Sequence, residues 1–250
     1  MGIFAQQQIK HLKGWALGKK SGDDFIERTK RNLPDLWDGE LAESFCAKGD
    51  GSTGYVTFPN ASISGVSGSD WSIAFLIKHD SFSGGNEFVF GTYDTTGATK
   101  RFYSDIQSGA VRLQIGTGTS VTLTGAGYMS TGISYLGMLQ YSNSTGKITS
   151  KFKNMSTDAI TDGVEYTVVG LTEMNDNLLG ILANANGFSL STGSVANFRV
   201  WFSSISFENM QNLYYGTGAN LNVDFNGSVL DKSGNDYHGT VHGTVDLYER

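Results

Sequence analysis

The chain has a single cysteine, Cys46, so no intrachain disulfide can form. The lone thiol reads as a small core residue, and the fold must rest on burial instead of covalent staples. Only two prolines occur, which excludes a proline-rich linker or stalk. No stretch approaches the roughly 20 apolar residues that span a bilayer. The opening MGIFAQQQIKHLKGWALGKK places its basic residues after and among the apolar ones, not before them, so it lacks the order of a secretory signal. Together these absences lead to the expectation of a protein made and folded in a reducing cytoplasm.

What is present is glycine, 33 residues of it, with many Ser, Thr and Asn, in a chain of 250 residues that is 39% hydrophobic and 12% aromatic. Such a chain buries roughly 70–75% of the surface that its unfolded form exposes. Tight glycine turns with so few prolines favour an all-β protein. Charge divides the chain. Residues 1 to 32 carry seven Lys/Arg against three acids, a net +4, and residues 33 to 250 carry eleven against twenty-one, a net −10. A basic arm precedes an acidic body.

Residues 1–42 form the arm. Ile9, Leu12 and Ala16 recur at helical spacing, flanked by Phe4 and Trp15. SGDDFIERTKRNLP then offers a cap at Ser21 to Asp24, acids in the first turn, bases in the last and Pro34 as a stop. The spacing predicts two short amphipathic helices, or one broken at Gly18. Helices this short are marginal alone, so Phe4, Ile9, Leu12, Trp15, Leu36 and Trp37 need a covering surface on a partner or on the body. The basic residues fit a solvated helix face or an acidic partner. Nucleic acid is disfavoured as a ligand, because aromatics are not interleaved with the charges.

From Phe45 onward, short alternating runs are separated by glycine and asparagine turns every eight to twelve residues, the spacing of a sandwich or barrel. Candidate strands are ESFCA, GYVTF, WSIAFLIK, EFVFGTY, FYSDI, VRLQIG, SVTLT, ISYLGMLQY, ITSKFK, NLLGILAN and VANFRVWF. Trp71, Phe75, Phe90, Leu113, Ile115, Leu139, Phe198, Val200 and Trp201 are the expected core. One helix interrupts the series at SISFENMQNLYYG, over about 206 to 215, capped by Ser206 and stopped by Gly216.

The ordered succession GSTGYVTFP, DWSIAFLIK, EFVFGTYDTTGATKRFYSDI, AVRLQIG, MLQYSNSTGKITSKFKN, LLGILANANG and GSVANFRVWFSSISFENMQNLYYG resembles the laminin-G/pentraxin branch of the concanavalin A-like lectin/glucanase superfamily, over residues 45 to 245. That resemblance implies an all-β, antiparallel two-sheet jelly-roll sandwich spanning 43–250, with one short helix near the C-terminus and the helical N-terminal arm before it. It also implies that the chain returns after the helix to add a final piece. VDFNGSVLDKSGNDYHGTVHGTV is expected to do this as a hairpin turning at SGND.

Glucanases that share the architecture carry carboxylates alternating along a strand as E-x-D-x-x-E, so that acid and nucleophile face one cleft. The nearest piece here, Glu173-Met-Asn-Asp176, has the wrong spacing. His238 and His242 would be roughly 13 Å apart in extended chain, too far for a helical zinc pair, and they read as surface histidines. No phosphate loop or nucleophile triad is visible.

No cofactor is required by these motifs, and calcium is the one alternative. Relatives of this type often hold it at the sandwich rim, but the pentraxin-like stretch reads LGILANAN here, with Asn184 and Asn186 and no carboxylate. Asp94, and Asp231 with Asn235 and Asp236 in the terminal turn, are the remaining hard-oxygen candidates, against their more ordinary role in turns. For a glycan, the stacking and hydrogen-bonding candidates are Tyr93, Asp94, Tyr103, Asn184, Asn186 and Tyr237, with Tyr214 and Tyr215 near the same turns.

A virion joins a disulfide-free lectin-like sandwich to a basic arm without a signal peptide. The expectation is therefore a non-enzymatic virion surface protein of a bacteriophage, as capsid decoration, head fibre or tail component. It would be made in the host cytoplasm, homo-oligomeric, bound to other virion proteins through its arm, and able to meet host-surface or environmental glycans. A free carbohydrate-binding module and a diverged glycoside hydrolase are the alternatives.

Overall fold

The computed structural model describes residues 46–66, 68–82, 85–92, 102–115, 121–168, 178–183, 190–212, 216–225 and 227–247. The arm lies outside them. Alternation with period two along most runs yields strands: β1 (Ala47–Gly49), β2 (Tyr55–Phe58), β3 (Trp71–His79), β4 (Glu87–Gly91), β5 (Phe102–Gln107), β6 (Ala110–Ile115), β7 (Val121–Thr122) and β8 (Ser134–Ser142). There follow β9 (Lys147–Asn154), β10 (Ile160–Asp162), β11 (Tyr166–Thr167), β12 (Leu179–Ile181), β13 (Gly193–Trp201), β14 (Leu221–Val223), β15 (Thr240–His242) and β16 (Val245–Leu247).

They assemble into two antiparallel sheets. Sheet I has nine strands in the order β10-β9-β8-β3-β13-β1-β16, with β11 also on β9 and β14 also on β13. Sheet II has seven, in the order β15-β2-β12-β4-β5-β6-β7. The fold is the expected all-β, two-sheet sandwich.

DWSIAFLIK shows why continuous apolarity accompanies a central strand. Trp71, Ile73, Phe75 and Ile77 belong to the core between the sheets, whereas Ala74 and Leu76 are buried on the opposite face. All nine expected core residues are buried. Trp201, opposite Ser72, faces away from the inter-sheet core, and its indole N–H donates to the Thr217 carbonyl at 3.2 Å. Ser206 caps α1 (Phe207–Gln211) as expected, its Oγ accepting from the Asn209 N–H at 3.2 Å. The helix ends sooner than expected, at Gln211, because Asn212 is already extended; residues 213–215 lie outside the described ones.

The terminal piece departs from expectation. SGND does not join a hairpin. The reversal falls at Gly243–Thr244, and its two strands go to different sheets, β15 to β2 and β16 to β1. The turn from β1 to β2 crosses between sheets at the same flank, and the two crossings touch so closely that a Cβ on Gly54 would strike the Thr244 carbonyl oxygen. On the other flank the Val164 N–H donates to the Leu123 carbonyl at 2.9 Å and links the sheets there. Beside it, Lys147–Glu165, Lys151–Asp162 and Lys153–Asp158 pair at 2.6, 2.5 and 2.6 Å, charging an edge that would otherwise invite strand pairing.

Candidate functional site

The terminal turn is built around Asp231. One carboxylate oxygen accepts the N–H groups of Asn222 and Ser233, both at 2.9 Å. The other accepts the Ser233 hydroxyl at 2.6 Å and the Tyr237 N–H at 3.1 Å. A carboxylate offers about four lone-pair sites, and here each oxygen is engaged by donors from the turn and from β14. Asn235 turns its amide N–H group toward the Asn220 carbonyl at 3.0 Å. Asp236 stands in solvent, its side chain 88% exposed. Asp231 and Asn235 both engage the Ser233 hydroxyl, so the segment is an ordered turn. Among the described residues no three His, Cys, Asp or Glu side chains group as a metal would require.

Tyr237 is half-buried against the core, its backbone held by Asp231. His238 and His242 serve different partners: His238 Nδ1 accepts the Asp231 N–H at 3.2 Å, and His242 Nε2 meets Thr57 Oγ1 at 2.9 Å.

Tyr103 lies on the outer face of sheet II, buried, stacked on Phe88 at 4.6 Å and donating its hydroxyl to Gln114. It is a structural member of the sheet. Beside it the carboxylate of Asp105 accepts two N–H bonds from Arg112, whose third nitrogen reaches Gln107 at 2.5 Å. Asp105 holds the Arg112 guanidinium above its ordinary range, while burial pushes the Asp105 carboxyl up and the Arg112 bonds pull it back.

Tyr93, Asp94, Asn184 and Asn186 fall outside the described residues, as do Tyr214, Tyr215, Glu173, Asp176 and all six arm residues. β4 and β12 are antiparallel, with Gly91 opposite Gly180. The chain therefore leaves β4 and β12 in opposite directions.

Three features escaped the sequence reading. Asp50 accepts the N–H groups of Ser52, Thr53 and Gly54 at 2.8, 2.7 and 2.9 Å, plus the Thr53 hydroxyl. His79 and Glu87 bridge the sheets inside the core at 3.0 Å, with Glu87 also receiving the Thr192 hydroxyl at 3.2 Å. Tyr55 and His242 stack at 4.5 Å and 11° on the outer face of sheet II. The sequence signals were a DGST turn for the first, and for the second a histidine closing an apolar strand. The third had none, since its partners are far apart in the chain.

No protein-family model matches the chain, and no curated protein is similar to it. Solved structures are. The class of protein that the two antiparallel sheets define is an all-β sandwich. The extracellular region of zebrafish Gpr126/Adgrg6 is similar over 81% of this chain and 25% of its own, at 15% identity and a TM-score of 0.47. The enzymatically active domain of bacteriophage CBA120 tailspike protein 2 is similar over 74% of this chain and 34% of its own, at 13% identity and 0.49. The heptameric SAP-like pentraxin of Limulus polyphemus is similar over 80% and 95%, at 9% identity and 0.44. The chain thus spans about a quarter and about a third of the first two. Among the described residues no helix is long and apolar enough to cross a membrane.

Proposed function

We propose that this chain is a virion surface protein of a bacteriophage, a lectin-like sandwich displayed on the particle and attached through residues 1–42. One observation carries the reading: among the described residues the strands of both sheets lie within 47–247 and close both flanks themselves, while the charge of the chain splits into +4 over residues 1–32 and −10 over residues 33–250. A basic, apolar-studded extension fits attachment to other virion proteins or to sister subunits. The displayed sandwich then meets host-surface or environmental glycans. A binding role is favoured over hydrolysis because Glu87 faces the core and Asp105 the outside of sheet II, each tied to its own partner. Two carboxylates on opposite faces cannot attack one glycosidic bond.

The test is a chain lacking residues 1–42, expressed beside the full chain in cells that produce particles. The shortened chain should melt nearly as the full one does and be absent from purified particles, and attachment of the full chain should weaken with salt. A shortened chain that incorporates normally, or a sharply lowered melting temperature with assembly intact, overturns the reading.

A further inference from the structure

Outward-facing side chains on β2 are Tyr55 and Thr57, since Val56 and Phe58 belong to the core. His242 of β15 lies directly opposite Tyr55. Its ring is parallel to the tyrosine, and its Nε2 is fixed on Thr57 Oγ1 at 2.9 Å. Both rings are half-exposed. Neither the Tyr55 hydroxyl nor His242 Nδ1 has a hydrogen-bond partner among the described residues. The next strand, β12, puts no side chain beside them on this face: Gly180 has none, and Leu182, with φ of 68°, turns into the core. The backbone beside the platform is closely packed, because a Cβ on Gly243 would strike the Thr53 carbonyl oxygen.

We propose that Tyr55 and His242 form a carbohydrate-binding platform on the outer face of sheet II, and that its ligand is a neutral pyranoside. A pyranose has one face of C–H groups, which packs on an aromatic face, and a rim of hydroxyls, which the Tyr55 hydroxyl and His242 Nδ1 can meet. Rings already locked in place lose little entropy on binding. The −10 charge of residues 33–250 selects against anionic sugars and against nucleotides, whose bases would also stack. The proposal rests on the reading of the sandwich as a glycan-binding display.

The test uses the full chain on an array of neutral hexose- and N-acetylhexosamine-terminated oligosaccharides, followed by titration of the strongest responder. H242A, on an edge strand, and Y55A should each weaken binding at least tenfold, and K147A, on the other sheet, should not. Sugar C–H protons should shift upfield on binding, the mark of a ring face. If Y55A does not fold, H242A and the proton shifts still decide the matter. Binding within twofold of the native chain in H242A, or no upfield shift, overturns the platform but leaves glycan binding standing. An array with no responder overturns both.

Discussion

Asp50 and Asp231 do the same chemistry in two turns, with opposite reach. Asp50 collects donors from the next four residues and is exposed. Asp231 is buried and gathers Asn222 of β14 from nine residues before it, and Ser233 and Tyr237 after it. Through Asn222 it fastens the final segment to sheet I, and that segment then closes sheet II with β15 and sheet I with β16. An aspartate in a glycine-serine turn therefore shapes a local bend in one case and joins separate parts of the fold in the other.

The largest expected effect comes from removing the long-reach turn entirely. Deleting residues 221–250 takes away Asp231 with β14, β15 and β16, and uncovers β1 and β2 at the sheet edges. The shortened protein should aggregate and lose its cooperative melt. A soluble 1–220 fragment with a sharp transition would show that the final segment is dispensable and would erase the contrast with Asp50.

Next is Asp231→Ala, which leaves part-buried donors at Asn222, Ser233 and Tyr237 without an acceptor. The loss should be on the order of 3 kcal/mol, a fall in melting temperature of about 6–12 °C for a protein of this size. Asp231→Asn, which keeps one acceptor oxygen, should fall between. A fall of less than about 2 °C would mean that water replaces the carboxylate and that the turn is no more demanding than the one at Asp50.

How much of this was legible follows from reach. Strands with strong alternation or continuous apolarity, such as WSIAFLIK and VANFRVWF, were readable because a local pattern fixes a strand, and so was Ser206, whose cap needs only Asn209. SGND was correctly a turn and wrongly a hairpin, because composition signals a reversal without naming the sheets that the flanking strands join. β10 and β11 were missed for a related reason: Ile160 and Val164 are exposed at an edge, and no buried face imposes a period on them. The site was least legible. Tyr55 and His242 meet across 187 positions of sequence, and nothing in either neighbourhood announces the other.

A smaller effect is expected at Asp50. Asp50→Ala removes an acceptor for three N–H groups, but they can turn to water, so the loss should be about 1 kcal/mol. A loss as large as that of Asp231→Ala would show that the crossing of the 50–54 and 243–244 turns depends on Asp50, and that local reach does not limit importance.

The smallest effect is in pH, and it isolates the Asp50 carboxylate by its sign. The Thr53 N–H and hydroxyl, with the N–H groups of Ser52 and Gly54, hold this carboxyl well below its usual range. A depressed acid contributes stability above its unfolded pKa, near 3.9, and loses that contribution as pH falls through the folded value. The native chain should therefore lose stability below about pH 4 faster than Asp50→Asn, which cannot titrate there. Asp105 works in the other direction, since burial raises it, but it is common to both proteins and cancels in their difference. Melting temperatures of the two proteins should differ at pH 6 and converge toward pH 2, with Asp50→Asn lower throughout. A difference that stays constant over that range would mean that the three N–H bonds owe nothing to the ionised carboxylate.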